Sequence, residues 1–335
     1  MPSLEGIFIG ENILNKKLTI GLGIVLLLVI VYFGFGYYMY NLMTVAHPNC
    51  ESAYMDGRRD FTPAYFEGEY DYEEINVDVA PYLMPNYEDL EFTSREDNVR
   101  ISGWFVPAST PSDAVIIVTH GGDVCKRNTS VLLPAGMLAN NGFNVLMIDL
   151  RNHGASEVVS SRYTAGVEEY KDVLGAVDYL VAEGYAPEKI GLMAVSMGAA
   201  TSLNAFGADT SIGAIWADSS FTNLPTVLED QLAMYGLPAF MKHSVTIIAN
   251  MQGYDLNGRS PIGSVQNNAN RPMFFVHGTE DEWINVAAAE PLYQASGENA
   301  ELWIIEGTRH VEAMFLYPEE YQAKMVAFFE SALGN

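Results

Sequence analysis

Six short apolar runs recur between residues 114 and 307, and most are followed by a stretch of helical length. They are AVIIVTH (114–120), NVLMIDL (144–150), KIGLMAV (189–195), IGAIWAD (212–218), PMFFVHG (272–278) and ELWIIEG (301–307). Runs this short and this continuously apolar read as strands buried on both faces, and the intervening helices are the crossovers that parallel pairing requires. The predicted architecture is therefore α/β, a mostly parallel sheet with helices on both faces. Ahead of it, LEFTS and VRISGWFV alternate apolar and polar residues about Glu96-Asp97-Asn98, which predicts a β-hairpin. The sheet accounts for the whole span from about Leu90 to Asn335, with a closing helix from about Glu319, so this part of the chain reads as one domain.

The N-terminal residues follow a different pattern. Leu18–Tyr40 reads LTIGLGIVLLLVIVYFGFGYYMY, with no Asp, Glu, Lys or Arg between Lys17 and Glu51. As a helix it would span about 35 Å, enough for a hydrocarbon core of about 30 Å. Tyr32, Tyr37, Tyr38 and Tyr40 gather near its C-terminal end, as at a membrane interface. A cleavable signal peptide is the competing reading, with Thr44-Val45-Ala46 as its cleavage site. The run is long for that role, and Glu5 and Glu11 precede it. An uncleaved anchor is expected, preceded by an N-terminal segment (1–17). Lys16 and Lys17 abut the anchor, whereas Arg58 and Arg59 lie among acids, so the N-terminus is expected in the cytoplasm and the body outside it.

Between anchor and sheet, residues 41–89 read as an acidic, solvated and partly ordered connector with several prolines and tyrosines. Twelve of the chain's 42 acids fall between 51 and 91. The formal net charge is −25, with 17 Lys and Arg in all, which argues against a nucleic-acid partner. At 49% hydrophobic and 18% charged, the chain is not a disordered one. No His, Asp, Glu or Cys cluster has metal-ligand spacing, and no cofactor motif occurs. Cys50 and Cys125 are too few for a disulfide framework. They could pair outside the cell, although Cys50 lies close to the membrane segment.

Ala194-Val195-Ser196-Met197-Gly198 follows the third of the apolar runs. Ser196 is the only serine of the chain with Gly or Ala at both −2 and +2. A serine on a sharp strand-to-helix turn needs small residues there, because the two backbones nearly touch. The helix that follows directs its dipole at any charge developing beside the hydroxyl. His120-Gly121-Gly122 ends an upstream strand. Asp281 and His310 each lie just beyond a later one. Sites of open α/β sheets assemble along that strand edge.

These pieces resemble the α/β-hydrolase superfamily, similar to membrane-anchored ABHD-type enzymes and prolyl-oligopeptidase-like catalytic domains. The resemblance covers about Leu90 to Asn335. It rests on THGG (119–122), DLRNHGAS (149–156), AVSMGA (194–199), ADSSF (217–221), SPI (260–262), HGTEDEW (277–283) and GTRH (307–310). It implies Ser196 as nucleophile, His310 as general base and then acid, and Asp281 as the carboxylate that orients the imidazole. Asp218 is the second candidate for that carboxylate. The implied oxyanion donors are the backbone N–H groups of Met197 and Gly122, with Asp123 able to shift the loop. His120, His153 and His277 are expected to buttress loops, while His47 and His243 have no assigned role. The sequon Asn128-Thr129-Ser130 is read as a chance occurrence.

Residues 222–260 are rich in apolar side chains. They form either a small cap with an acyl pocket or ordinary helix core. The expected activity is hydrolysis of a small-molecule or lipid-like carboxylic ester or thioester by a serine hydrolase, without cofactor or metal. An aminopeptidase or amidase of the prolyl-oligopeptidase type and a non-catalytic binding module are the alternatives.

Overall fold

In the computed structural model the described residues are 4–52, 55, 58, 60–69, 75–267 and 270–334. Residues 1–3 of the expected N-terminal segment lie outside them, as do Asp56, Arg59, Asp71, Glu73 and Glu74 of the expected connector. The chain divides into two compact units, Met1–Met43 with Leu232–Tyr254, and Thr44–Gln231 with Asp255–Asn335.

The larger unit is built on one eight-stranded sheet. In chain order its elements begin with β1 (Glu88–Thr93), β2 (Arg100–Val106), β3 (Val115–Thr119), α2 (Thr129–Ala139) and β4 (Asn144–Ile148), where α1 is the N-terminal helix Leu4–Thr44. Next come α3 (Tyr170–Ala182), β5 (Ile190–Val195), α4 (Met197–Ala208), β6 (Ala214–Asp218) and α5 (Leu224–Met234). After α6 (Lys242–Met251) follow α7 (Pro261–Gln266), β7 (Met273–Gly278), α8 (Ala289–Ser296), β8 (Ala300–Ile305), α9 (Ala313–Leu316) and α10 (Pro318–Leu333). The strand order is β1-β2-β4-β3-β5-β6-β7-β8. Only β2 runs antiparallel to its neighbours, β1 and β4; the other pairs are parallel. Each of the six apolar runs has become a strand of this sheet.

Helices cover both faces. On one, α2 and α10 pack together, and on the other α3, α4, α7 and α8 form a continuous layer. The α2/α10 face holds an extensive apolar cluster, with Trp216 stacked on Phe274 at 4.0 Å between ring centroids and flanked by Phe328. Burying an aromatic or aliphatic side chain of this size contributes about 1.5–3 kcal/mol relative to its exposed state. The register places Thr119 beside Ala194, and Ala194 beside Ala217. The C-terminal ends of the central strands are thereby level, and the loops leaving them meet at one edge.

The stretch 41–89 is not a solvated linker throughout, because Phe61, Phe66 and Met84 are buried in the α2/α10 cluster. Cys50 and Cys125 form a disulfide, with Cα atoms 5.8 Å apart, and Met55 is buried against the pair. The expected cap spans 222–260. Its central part, Leu232–Tyr254, groups with the N-terminal helix.

In that smaller unit, Lys16–Thr44 of α1 is long and apolar enough to cross a membrane. Every residue from Lys16 to Val31 is exposed. From Tyr32 onward one face is covered, as Tyr32 stacks on Phe240 with ring centroids 6.2 Å apart. One turn later Gly36 abuts Ser244 so closely that a Cβ there would lie 2.5 Å from its Oγ.

Candidate active site

Ser196 stands between the last residue of β5 and the first of α4, with φ 54° and ψ −126°. This is a strained conformation for a residue with a Cβ, and it persists because both flanking elements are anchored. The N–H of Ser196 donates to Asp218 O at 2.8 Å, tying the turn to the neighbouring strand. Small neighbours are a steric necessity. A Cβ on Gly198 would run into the carbonyl oxygens of His120 and Thr119, and Ala194 is fully buried in the sheet.

His310 reaches this hydroxyl from the loop after β8. Its Nε2 lies 2.8 Å from Ser196 Oγ, and its Nδ1 lies 2.7 Å from Asp281 Oδ2. Asp281 follows β7, and its carboxylate has no exposed surface. Oδ1 accepts the N–H groups of Trp283 at 2.9 Å and Ile284 at 2.8 Å. Burial pushes its carboxyl upward, but His310, His277 and their hydrogen bonds hold it well below the usual carboxylate range. Asp281 is thus an anion with its acceptor oxygens already occupied, facing one imidazole edge. The three residues come from loops after β5, β7 and β8, and the level strand ends bring them within hydrogen-bonding distance.

His277 and His120 serve the loops around them. Nε2 of His277 lies 2.9 Å from Ile284 O and 3.2 Å from Asp281 Oδ2. Both partners are acceptors, so this nitrogen carries the proton and donates. Burial pulls the His277 pKa down, and Asp281 with Ile284 O outweighs it, leaving the value raised. His120 has the opposite environment. Its Nε2 accepts the Leu150 N–H at 3.0 Å, so Nδ1 carries the proton and donates to Gly121 O at 2.7 Å. Complete burial, with His153 beside it, lowers its pKa to about 3, which keeps the ring neutral. His153 is likewise buried, with Nδ1 at 2.9 Å from Arg151 O.

The glycines after His120 lie against the serine turn. A Cβ on Gly121 would approach Ser196 Cβ to 3.2 Å, and one on Gly122 would lie 3.8 Å from Met197 Cβ. Tyr163 also reaches this place, its hydroxyl 3.5 Å from that Gly122 position. Nothing in the sequence around Tyr163 signals it. Met197 opens α4, where the first N–H groups have no partner within the helix. Asp123 adopts φ 57° and lies 3.5 Å from His47 Nε2, which gives that histidine a neighbour the sequence does not reveal.

Asp218 does not meet His310. Its Oδ2 accepts the Tyr321 hydroxyl at 2.9 Å, and its Oδ1 accepts the Ser219 hydroxyl at 3.0 Å. Ser219 Oγ in turn accepts the Val311 N–H at 3.2 Å, immediately after His310. Burial pushes Asp218 up to about 6, against the hydrogen bonds from Tyr321 and Ser219. This residue secures the histidine loop from behind. Asn128 of the sequon is the buried N-cap of α2, its Oδ1 accepting the Ser130 N–H at 2.9 Å. Among the described residues no group of three His, Cys, Asp or Glu is placed to hold a metal.

The model of the prolyl oligopeptidase family matches residues 130–335. The chain is 29% identical over 256 residues to the uncharacterized protein YfhR of Escherichia coli K12, covering 74% of this chain and 82% of that protein. It is 30% identical over 122 residues to the thiohydrolase aneE of Aspergillus aculeatus, covering 36% and 37% of the two chains. Among solved structures, the Pyrococcus furiosus esterase Pf2001 superposes with a TM-score of 0.61 at 26% identity, over 77% of this chain and 96% of that one. On this match the chain belongs to the prolyl oligopeptidase family and is a hydrolase with the α/β-hydrolase fold.

Proposed function

We propose that the protein is a membrane-anchored serine hydrolase that cleaves carboxylic ester or thioester bonds through an acyl-enzyme on Ser196. The observation that carries this reading is the hydrogen-bonded series Ser196 Oγ, His310, Asp281. As the serine oxygen attacks the carbonyl carbon, its proton passes to His310 Nε2. The buried Asp281 anion stabilises the imidazolium through Nδ1–H. The oxyanion accepts from the N–H groups of Met197 and Gly122, each such donor contributing about 2.7–4 kcal/mol in a transition state. Collapse expels the alkoxide or thiolate, which takes the Nε2 proton, and water then cleaves the acyl-enzyme by the same path.

Ester chemistry is favoured by the similarity to an esterase at 26% identity and, over a shorter stretch, to a thiohydrolase. The family name favours peptide bonds as the second reading. Anchoring rests on Leu18–Tyr40. The Cys50–Cys125 disulfide supports an extracytoplasmic body, because such bonds persist in oxidising compartments. A fluorophosphonate probe tests the catalytic reading. Wild-type protein is labelled on Ser196 and Ser196→Ala is not; a folded wild type that resists labelling refutes it. A panel of matched p-nitrophenyl esters, thioesters and aminoacyl anilides then separates esterase from peptidase.

A further inference from the structure

In a chain of net charge −25, Leu232–Tyr254 contains no Asp or Glu, and Lys242 is its one Lys or Arg. It also carries exposed apolar side chains. Met234, Tyr235, Phe240 and Met251 are 58%, 65%, 60% and 73% exposed, and Ile247 extends the same character along α6. Along α6, His243, Ile247, Asn250 and Met251 face outward, while Ser244, Val245 and Ala249 face inward. Isolated exposed apolar residues are ordinary, but several on one short segment without carboxylates are not.

The N-terminal helix of the same unit supplies the occupant. Lys16 and Lys17 place the start of the span at the headgroups. The bare stretch Leu18–Val31 rises only about 21 Å at about 1.5 Å per residue, short of a hydrocarbon core of about 30 Å. Completing the core takes about twenty residues, to about Tyr37. Tyr32 and Gly36, the residues that Phe240 and Ser244 touch, therefore fall within its last six residues. Close approach at a glycine is how helices associate at such depth.

We propose that Leu232–Tyr254 is a membrane-embedded element, docked on the helix at Tyr32 and Gly36 with its apolar side chains in the acyl region of the extracytoplasmic leaflet. This rests on the reading of Leu18–Tyr40 as a membrane anchor. The absence of carboxylates follows from the location, since a carboxylate there would have to leave water or be neutralised. The element makes bilayer lipids, or esters dissolved among them, the molecules in contact with this unit. A helix lying about 5–10 Å into the headgroup–acyl boundary is a familiar interfacial arrangement.

The test uses full-length protein in phosphatidylcholine vesicles containing a minor share of phosphatidylglycerol. The vesicles are doped with a lipid carrying a diazirine near the headgroup end of its acyl chain, and adducts are mapped by mass spectrometry. Adducts on Phe240 and Met251 within about threefold of those on Val31 are expected for residues at the same boundary. In Gly36→Leu, which forces Ser244 away, those adducts fall while adducts on Leu18–Val31 remain. Adducts confined to the helix overturn the embedded element and leave the anchor standing. Adducts on neither segment overturn the anchor as well.

Discussion

Removing the Cys50–Cys125 bridge releases a loop of 75 residues, the sequence separation of the pair. In the chain-entropy description, a closed loop of that length corresponds to about 4.5 kcal/mol at 25 °C. Residual structure in the unfolded chain reduces the figure, so a loss of about 2–4.5 kcal/mol is expected. For a domain of this size each kcal/mol shifts Tm by about 2–4 °C, so Tm should fall by at least about 4 °C. Thermal unfolding of detergent-solubilised protein, followed by far-UV circular dichroism, measures it for Cys50→Ala, Cys125→Ala and the double variant. Because either single change opens the same loop, each should lose nearly as much as the double. Losses that add across the two sites would refute the reasoning. The stabilisation would then come from packing around the sulfurs, both of which are buried beside Met55. The bridge also ends three residues after Gly122, and Ser52 Oγ donates to Asp123 O in the same loop. On the proposed reading, kcat on a p-nitrophenyl ester should therefore fall along with Tm.

Asp281→Asn retains the size of the side chain but not the charge beside His310, and kcat on a p-nitrophenyl ester should drop by about 10⁴-fold. Gly198→Ala puts a Cβ against the carbonyl oxygens of Thr119 and His120. It should cost about 1–3 kcal/mol in thermal unfolding and slow fluorophosphonate labelling. Burial raises Asp218 to about 6, from an ordinary value near 3.8. Between those values the unfolded chain releases the proton first, so stability falls as pH rises from about 4 to about 6, by on the order of 3 kcal/mol. Asp218→Asn should flatten that slope in Tm measured across the interval. Protease added to intact cells should degrade residues 51–335; full protection would reverse the topology.

Local physics made much of the architecture legible in the sequence. Strands buried on both faces must be continuously apolar, and each of the six apolar runs lies in the sheet. The serine turn was legible for the same kind of reason, since small residues are needed at 194 and 198, and at Gly198 the structure identifies the backbone that excludes a larger one. The placements of Asp281 and His310 could be anticipated because loops leaving the ends of parallel strands share one edge.

What the tertiary structure alone decided depends on partners remote in sequence. Asp218 and Asp281 both end strands, and the choice between them turns on Tyr321, 103 residues away, which occupies the first and leaves His310 to the second. Cys50 and Cys125 carry no spacing that predicts pairing, and they meet in a fold that also buries Phe61, Phe66 and Met84 in the α2/α10 cluster. The proton on His277 follows from two acceptors converging on one nitrogen, which no motif records. Leu232–Tyr254 is apolar whether it lines a pocket, fills a core or meets lipid. Its grouping with the N-terminal helix is a tertiary fact, because periodicity specifies which face is apolar and not what lies against it.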